Sequence, residues 1–216
     1  MKKVILGIFA AIILFTAFES KAQMRWGVTA GATITDLKWS QKTFMTPDAD
    51  APYLFTVDQE VGYQAGIFGE YTIPGIGFCI DLGLQYTQRG ATMHMGDFKV
   101  WSSEGYGIER SYLHYIDIPV HLRFKYQRMN GFERKLAPFV FGGPTFSILA
   151  GHSDIDAFDY KSVIVNLEAG FGVELFRDYQ ISASYGWDVT NAIQAKKLDN
   201  FKAKSRTWKI AATYFF

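Results

Sequence analysis

The sequence predicts an all-β fold, a closed antiparallel barrel of about eight strands. Two observations carry this. Apolar residues alternate with a period of two over segment after segment, with almost no helical period; that period sends successive side chains to opposite faces of a strand. The connections between those segments then alternate long and short without a break.

The chain begins Met1-Lys2-Lys3, continues with an apolar run from Val4 to Phe18, and reaches Glu19-Ser20-Lys21-Ala22-Gln23. A basic start, an apolar stretch and a small-x-small site are the parts of an export signal cleaved after Ala22. The run is shorter than the ~20 residues a spanning helix needs. The expected organisation is therefore a leader over 1–22 and one barrel domain over 23–216. No cysteine follows the leader's apolar run to take a lipid anchor, and the single cysteine, Cys79, has no internal disulfide partner.

Weak alternation marks strands near 25–34, 61–73 and 136–149. Stronger alternation runs over 78–86, 112–126, 163–175, 181–188 and 207–216. In the last of these, Trp208, Ile210, Ala212, Tyr214 and Phe216 share one face, and Thr207, Lys209, Ala211 and Thr213 share the other. The strands are expected to be about 9–16 residues long, enough to cross a bilayer at a tilt, which takes ~9–11 residues. Short turns are read at Pro74-Gly75, Met129-Asn130-Gly131 and Arg177-Asp178, all of turn-forming composition. Long loops are read near 35–60, 92–110, 150–161 and 190–203. With both ends of the chain on the periplasmic side, the first connection is extracellular, and the first is long. Bacterial outer-membrane barrels have this asymmetry.

Alternation alone does not say which face is outside. A soluble barrel would turn its apolar face inward. The membrane reading is favoured because the less apolar faces are rich in Gly, Ser and Thr with few charges. The apolar faces carry Tyr and Trp near strand ends, where a membrane interface sits. Aromatic residues make up 17% of the chain, which suits aromatic girdles. The expected location is the outer membrane. Formal charge is +1, and losing the leader's three lysines and one glutamate leaves about −1. No basic stripe is present for nucleic acid.

The last strand resembles the terminal strand of bacterial outer-membrane barrels, which the barrel-assembly machinery reads. Trp208, Ile210, Tyr214 and Phe216 would carry that signal. A second resemblance lies mid-chain. Tyr115-Ile116-Asp117-Ile118-Pro119-Val120-His121-Leu122-Arg123-Phe124-Lys125-Tyr126, followed by Ala137-Pro138-Phe139-Val140-Phe141-Gly142-Gly143-Pro144, is similar to the PorT-like outer-membrane barrels of Bacteroidota. That resemblance implies the barrel and little about activity. One relative is linked to type IX secretion, but no set of functional residues defines that link.

An eight-stranded barrel has an interior that side chains fill. The residues expected inside include Glu70, Asp81, Asp117, His121, Arg123, Lys125, Glu168, Glu174, Asp188 and Lys209. Both signs are present, so a self-paired charged filling is the leading reading and an ion path the alternative. Glu70, Asp81, Arg123, Lys125 and Glu174 are expected toward the short turns, and Asp117 and Glu168 nearer the middle.

Signals for chemistry are poor. His152-Ser153-Asp154 has the letters of a hydrolase in one loop, but a triad is a matter of geometry. His114 and His121, seven apart, fall on opposite faces of a regular strand, and His94 lies alone in a loop. The histidines and the cysteine lack zinc-ligand spacing. Asp154, Asp156 and Asp159 offer carboxylates that suit Ca²⁺ or a solvated loop. No catalytic residue, metal site or cofactor is expected. Gly170-Phe171-Gly172 lies within a strand, and Gly105-Tyr106-Gly107 lacks the strand-to-helix setting of a phosphate loop. Trp39, Phe44, Tyr53 and Phe55, with Pro47 and Pro52, give the first long loop an aromatic character that suits a protein or glycan partner, or packing on the barrel mouth. The leading function is thus a non-enzymatic barrel with a structural, adhesive or envelope-complex role through its extracellular loops. The alternatives are a narrow channel or small-ligand carrier, and a lipid-modifying enzyme at the rim. The bilayer and the assembly machinery are the expected partners.

Overall fold

The computed structural model describes residues 24–40, 43–44, 53–54, 56–73, 77–96, 107–126, 135–153, 155, 158–195 and 202–216. The strands in chain order are β1 (Met24–Trp39), β2 (Thr43–Phe44), β3 (Tyr53–Leu54), β4 (Thr56–Thr72), β5 (Phe78–Gly96), β6 (Gly107–Lys125), β7 (Leu136–His152), β8 (Phe158–Tyr160), β9 (Val163–Leu175), β10 (Tyr179–Asp188), β11 (Ile193–Ala195) and β12 (Lys202–Phe215). Among the described residues, eight long antiparallel strands follow the order β1-β4-β5-β6-β7-β9-β10-β12. β12 pairs back onto β1, from Gly27 opposite Phe215 to Trp39 opposite Ala203. The eight long strands form a closed barrel with no free edge, so each has a partner on both sides.

The faces decide the environment. Phe171 and Ile210 point outward at 64% and 61% exposure, while Glu70 and Asp117 point inward at 0%. A soluble barrel would have the reverse. Outward aromatics gather in two belts. Trp26, Tyr126, Tyr179 and Tyr214 ring the end with the short turns; Tyr63, Trp187 and Trp208 ring the opposite side. Such belts mark the two interfaces of a bilayer.

The strands are longer than the sequence predicts. β5 and β6 each have 19 residues, well beyond the ~9–11 a tilted crossing needs. They pair up to Gly96 opposite Gly107. Much of the expected loop at 92–110 is therefore a hairpin projecting past the upper belt. β1 and β4 likewise take up part of the expected loop at 35–60. Alternation is hard to read there because the outward face leaves the hydrocarbon and turns polar while the inward face turns apolar, with Leu37, Trp39, Met93 and Leu113 buried in the mouth, so the apolar positions change parity. A register shift between Gln59 and Gln64 flips the facing of β4, so that Val57 packs inward.

The turn at Phe176–Asp178 joins β9 to β10, with φ of 52° at Phe176 and 72° at Arg177. Positive φ at successive turn residues matches the twist of the flanking strands. The leader, Pro74-Gly75, Met129-Asn130-Gly131, Pro47, Pro52, Phe55, Asp154, Asp156 and Gly105-Tyr106 lie outside the described residues.

Candidate functional site

The barrel interior is the candidate site, and it is built in three layers. The layer nearest the short turns joins six strands. Glu70 of β4 is its hub. It accepts hydrogen bonds from Arg25 Nη2 of β1 at 2.7 Å, from Arg123 Nη1 at 2.9 Å and from Lys125 Nζ at 3.0 Å, the last two from β6. Lys125 Nζ and Arg25 Nη2 also donate to Glu174 Oε2 of β9, at 2.6 and 2.7 Å. Gln180 of β10 bridges, accepting from Arg123 Nη1 at 2.6 Å and donating to Glu174 at 2.9 Å. Arg123 Nε lies 2.7 Å from Asp81 Oδ2 of β5. Neither atom makes an aligned hydrogen bond, so that contact is an ion pair only. The Arg123 guanidinium lies over the Phe139 ring at 4.2 Å. Gly170 and Gly172 make room for this packing, because a Cβ there would stand 2.6 Å from Phe141 Cζ and 2.5 Å from Phe139 Cζ. Arg25 Nη1 donates to the Arg177 carbonyl at 2.6 Å, tying the layer to the β9–β10 turn.

In the middle layer Arg89 Nη2 donates to Asp117 Oδ2 at 2.7 Å and to Ser147 Oγ at 3.1 Å. Its Nη1 is 3.7 Å from Asp188 Oδ1, and the other Asp188 oxygen accepts the Ser205 N–H at 2.9 Å. Lys209 Nζ donates to Glu168 Oε2 at 2.8 Å, and Ser184 Oγ donates to Glu168 Oε1 at 2.7 Å. His121 Nε2 is 3.2 Å from Thr145 Oγ1. Between the two charged layers lies a cavity of about 40 Å³, bordered by Gln64, Gln85, His121 and Phe141. That is room for a few waters and for no solute.

The third layer is apolar and closes the end with the long connections. Leu37, Trp39, Met93, Leu113, Tyr115, Ile155, Phe158, Ile164 and Ile193 are all buried together there. Trp39 and Phe158 rings pack at 5.2 Å. β8 and β11 pair with each other, and β11 pairs with the start of β12, so parts of two long connections form a lid over the mouth.

All ten residues read from the sequence as inward are buried. Glu70, Asp81, Arg123, Lys125 and Glu174 lie in the layer nearest the short turns, and Asp117, His121, Glu168, Asp188 and Lys209 in the middle one. Two central cations were missed. Arg89 lies beyond Tyr86, where the sequence reading ended the strand, yet it keeps the odd numbering of Asp81 and Gln85. Arg25 likewise shares its facing with Thr29. The lid was also missed; its signal was Ile155, Phe158 and Ile193 in otherwise polar stretches. Of the two readings of the aromatic first connection, Trp39 takes the second: it packs in the barrel mouth.

His114 faces outward and meets Tyr86 Oη at 2.6 Å, while His121 faces the lumen. His152 ends β7 rather than lying in a loop. Its ring stacks on Tyr160 at 4.2 Å, and its Nδ1 is 3.1 Å from the Ser153 carbonyl. Ser153 Oγ accepts the Tyr112 N–H at 3.1 Å. His152 is thus turned to the serine's backbone and not to its hydroxyl.

The sequence profile of the outer membrane protein beta-barrel domain matches residues 18–194. The chain belongs to this family. The protein is an outer-membrane barrel, and barrels of this kind place short turns in the periplasm and long connections outside. The match ends before β12, the strand that closes the sheet. Several solved structures are similar, three of them as follows. Ail, the attachment invasion locus protein of Yersinia pestis, crystallised with the heparin analogue sucrose octasulfate, is 14% identical with a TM-score of 0.46, covering 90% of this chain and 99% of that one. Neisserial surface protein A is 14% identical with a TM-score of 0.47, covering 88% and 97%. OprG of Pseudomonas aeruginosa is 12% identical with a TM-score of 0.46, covering 89% and 94%. No curated protein matches the chain.

Proposed function

We propose that this outer-membrane barrel is non-conducting and non-enzymatic, and acts through its extracellular end in adhesion or in an envelope complex. The sealed lumen carries this reading. Among the described residues, two layers of paired charge and an apolar lid fill the lumen around a small inner cavity. The charged layers are structural in this account: they hold the strands in register and need no transported ion. The orientation of His152 away from the Ser153 hydroxyl supports a non-enzymatic rim. The test is reconstitution in planar bilayers. A featureless current is expected; regular conductance steps would replace this reading with a channel.

PorT-like membership belongs to the same proposal. Its supporting feature is that the Ile118-Pro119 strand lies beside the Gly142-Gly143-Pro144 strand, with Pro119 opposite Thr145. A photo-crosslinker at Ile108, on the projecting β5–β6 hairpin, should capture an envelope partner in whole cells. Capture of nothing there, with the barrel folded, would argue for a purely structural role. Export by the 1–22 leader is likewise proposed, and a mature protein starting at Gln23 is the expected result of N-terminal sequencing.

A further inference from the structure

The outer surface carries a feature the lumen does not explain. On the seam where β12 meets β1 and β10, a cleft of about 800 Å³ is bordered by Lys38, Lys202, Lys204 and Arg206, with Tyr185 and Trp187 beside them. Lys38 stands directly opposite Lys204 in the β1–β12 ladder. Like charges placed opposite each other destabilise a strand pair. Among the described residues, no carboxylate comes within ion-pair distance of any of these four cations. Asp36 stands opposite Arg206 without pairing with it, and Asp188, at the inner edge of the cleft, is engaged by Arg89 and the Ser205 N–H. Lys204 Nζ donates to the Val189 carbonyl, at 2.9 Å.

Depth identifies the occupant. Trp208 and Trp187 belong to the belt at the outer interface. Arg206 shares the facing of Trp208 and lies two residues beyond it, about 7 Å along the strand. Lys204 and Lys202 follow at the same interval. This puts the cations at headgroup depth, just above the hydrocarbon, where basic residues meet lipid phosphates. A soluble partner would first meet the farther-projecting β5–β6 hairpin on the other side of the barrel.

We propose that this cleft binds the phosphorylated headgroup of an outer-leaflet lipid, whose negative charge offsets the repulsion between Lys38 and Lys204. The seam that closes the barrel is then stabilised by the lipid in which it sits.

The test uses the full-length protein in nanodiscs of neutral phosphatidylcholine alone, or with a phosphorylated outer-leaflet glycolipid, or with that glycolipid dephosphorylated. Native mass spectrometry reads the lipid retained. The phosphorylated form is expected to stay bound and the dephosphorylated form to be lost. Lys38→Gln with Lys204→Gln should cut retention on the order of tenfold, while Lys204→Arg keeps it. Equal retention in all variants, or of both lipid forms, would overturn the proposal. Displacement by millimolar inorganic phosphate would mark a site for soluble anions and overturn the lipid assignment. Should the double variant not fold, Lys38→Gln alone decides by sign. It should raise the unfolding temperature in neutral nanodiscs and lower it with the phosphorylated lipid. A change of the same sign in both would sink the idea.

Discussion

At the scale of single residues, the buried charges matter most. Arg89 and Asp117 are 2% and 0% exposed as side chains. Removing one partner of a buried pair costs about 3–5 kcal/mol, whereas replacing both with apolar groups costs far less; without Arg89, Asp117 keeps only the longer contact to Lys209 Nζ at 3.7 Å. Arg89→Met is therefore expected to destabilise strongly, and Arg89→Met with Asp117→Leu to recover much of the loss. Urea unfolding in lipid vesicles measures this. Additive losses would show that the two side chains are not coupled. Glu70 holds three cations at once, so Glu70→Gln should lower stability at least as much as Arg89→Met. The inward charges were legible because strand parity fixes facing whatever the residue. Arg89 escaped only because the strand was ended too early.

At the scale of elements, the lid is the new feature. β8 and β11 are three residues each and hold the mouth closed mainly through side chains such as Phe158 and Ile193. Phe158→Ala removes the ring that packs on Trp39, a loss of about 3–5 kcal/mol for a core phenylalanine. The barrel ladder below does not depend on it. The expected result is faster proteolysis between His152 and Val163 in outer-membrane vesicles, with the boiling-dependent gel shift of the barrel retained. Unchanged cleavage would mean that the lid is not held by this contact. On β12, Trp208, Ile210 and Tyr214 point outward to the lipid, and Phe216, just past the strand's end, is exposed as well. If they also form the assembly signal, Phe216→Ala should reduce the folded outer-membrane fraction several-fold while leaving refolding in detergent intact. Equal loss in both settings would assign the residue to stability alone.

At the scale of the whole molecule, a closed ladder in a bilayer predicts a barrel that resists SDS until heated. The unboiled protein from the outer-membrane fraction should run as a compact band that shifts on boiling. A single unshifted band, or recovery in the soluble periplasm, would contradict the inside-out arrangement of faces. In planar bilayers the wild type should be silent. Phe158→Ala should remain silent as well, because the two charged layers still fill the lumen below the lid.

The sequence by itself determined the strand number, the long-short order of the connections, and the inward facing of ten polar and charged side chains, Arg25 and Arg89 excepted. These are local properties: a period of two, turn chemistry and chain order suffice, because an antiparallel meander pairs each strand with its neighbours in sequence. Only the tertiary structure decided the rest. Which carboxylate meets which cation depends on the stagger between strands, so Arg25 and Glu70, distant in sequence, meet across a register that no local pattern encodes. The lid depends on residues of two separate connections meeting over the mouth. The opposition of Lys38 and Lys204 appears only when the last strand closes on the first. Parity is written in the chain one residue at a time, whereas register and closure are set by the fit of the whole barrel.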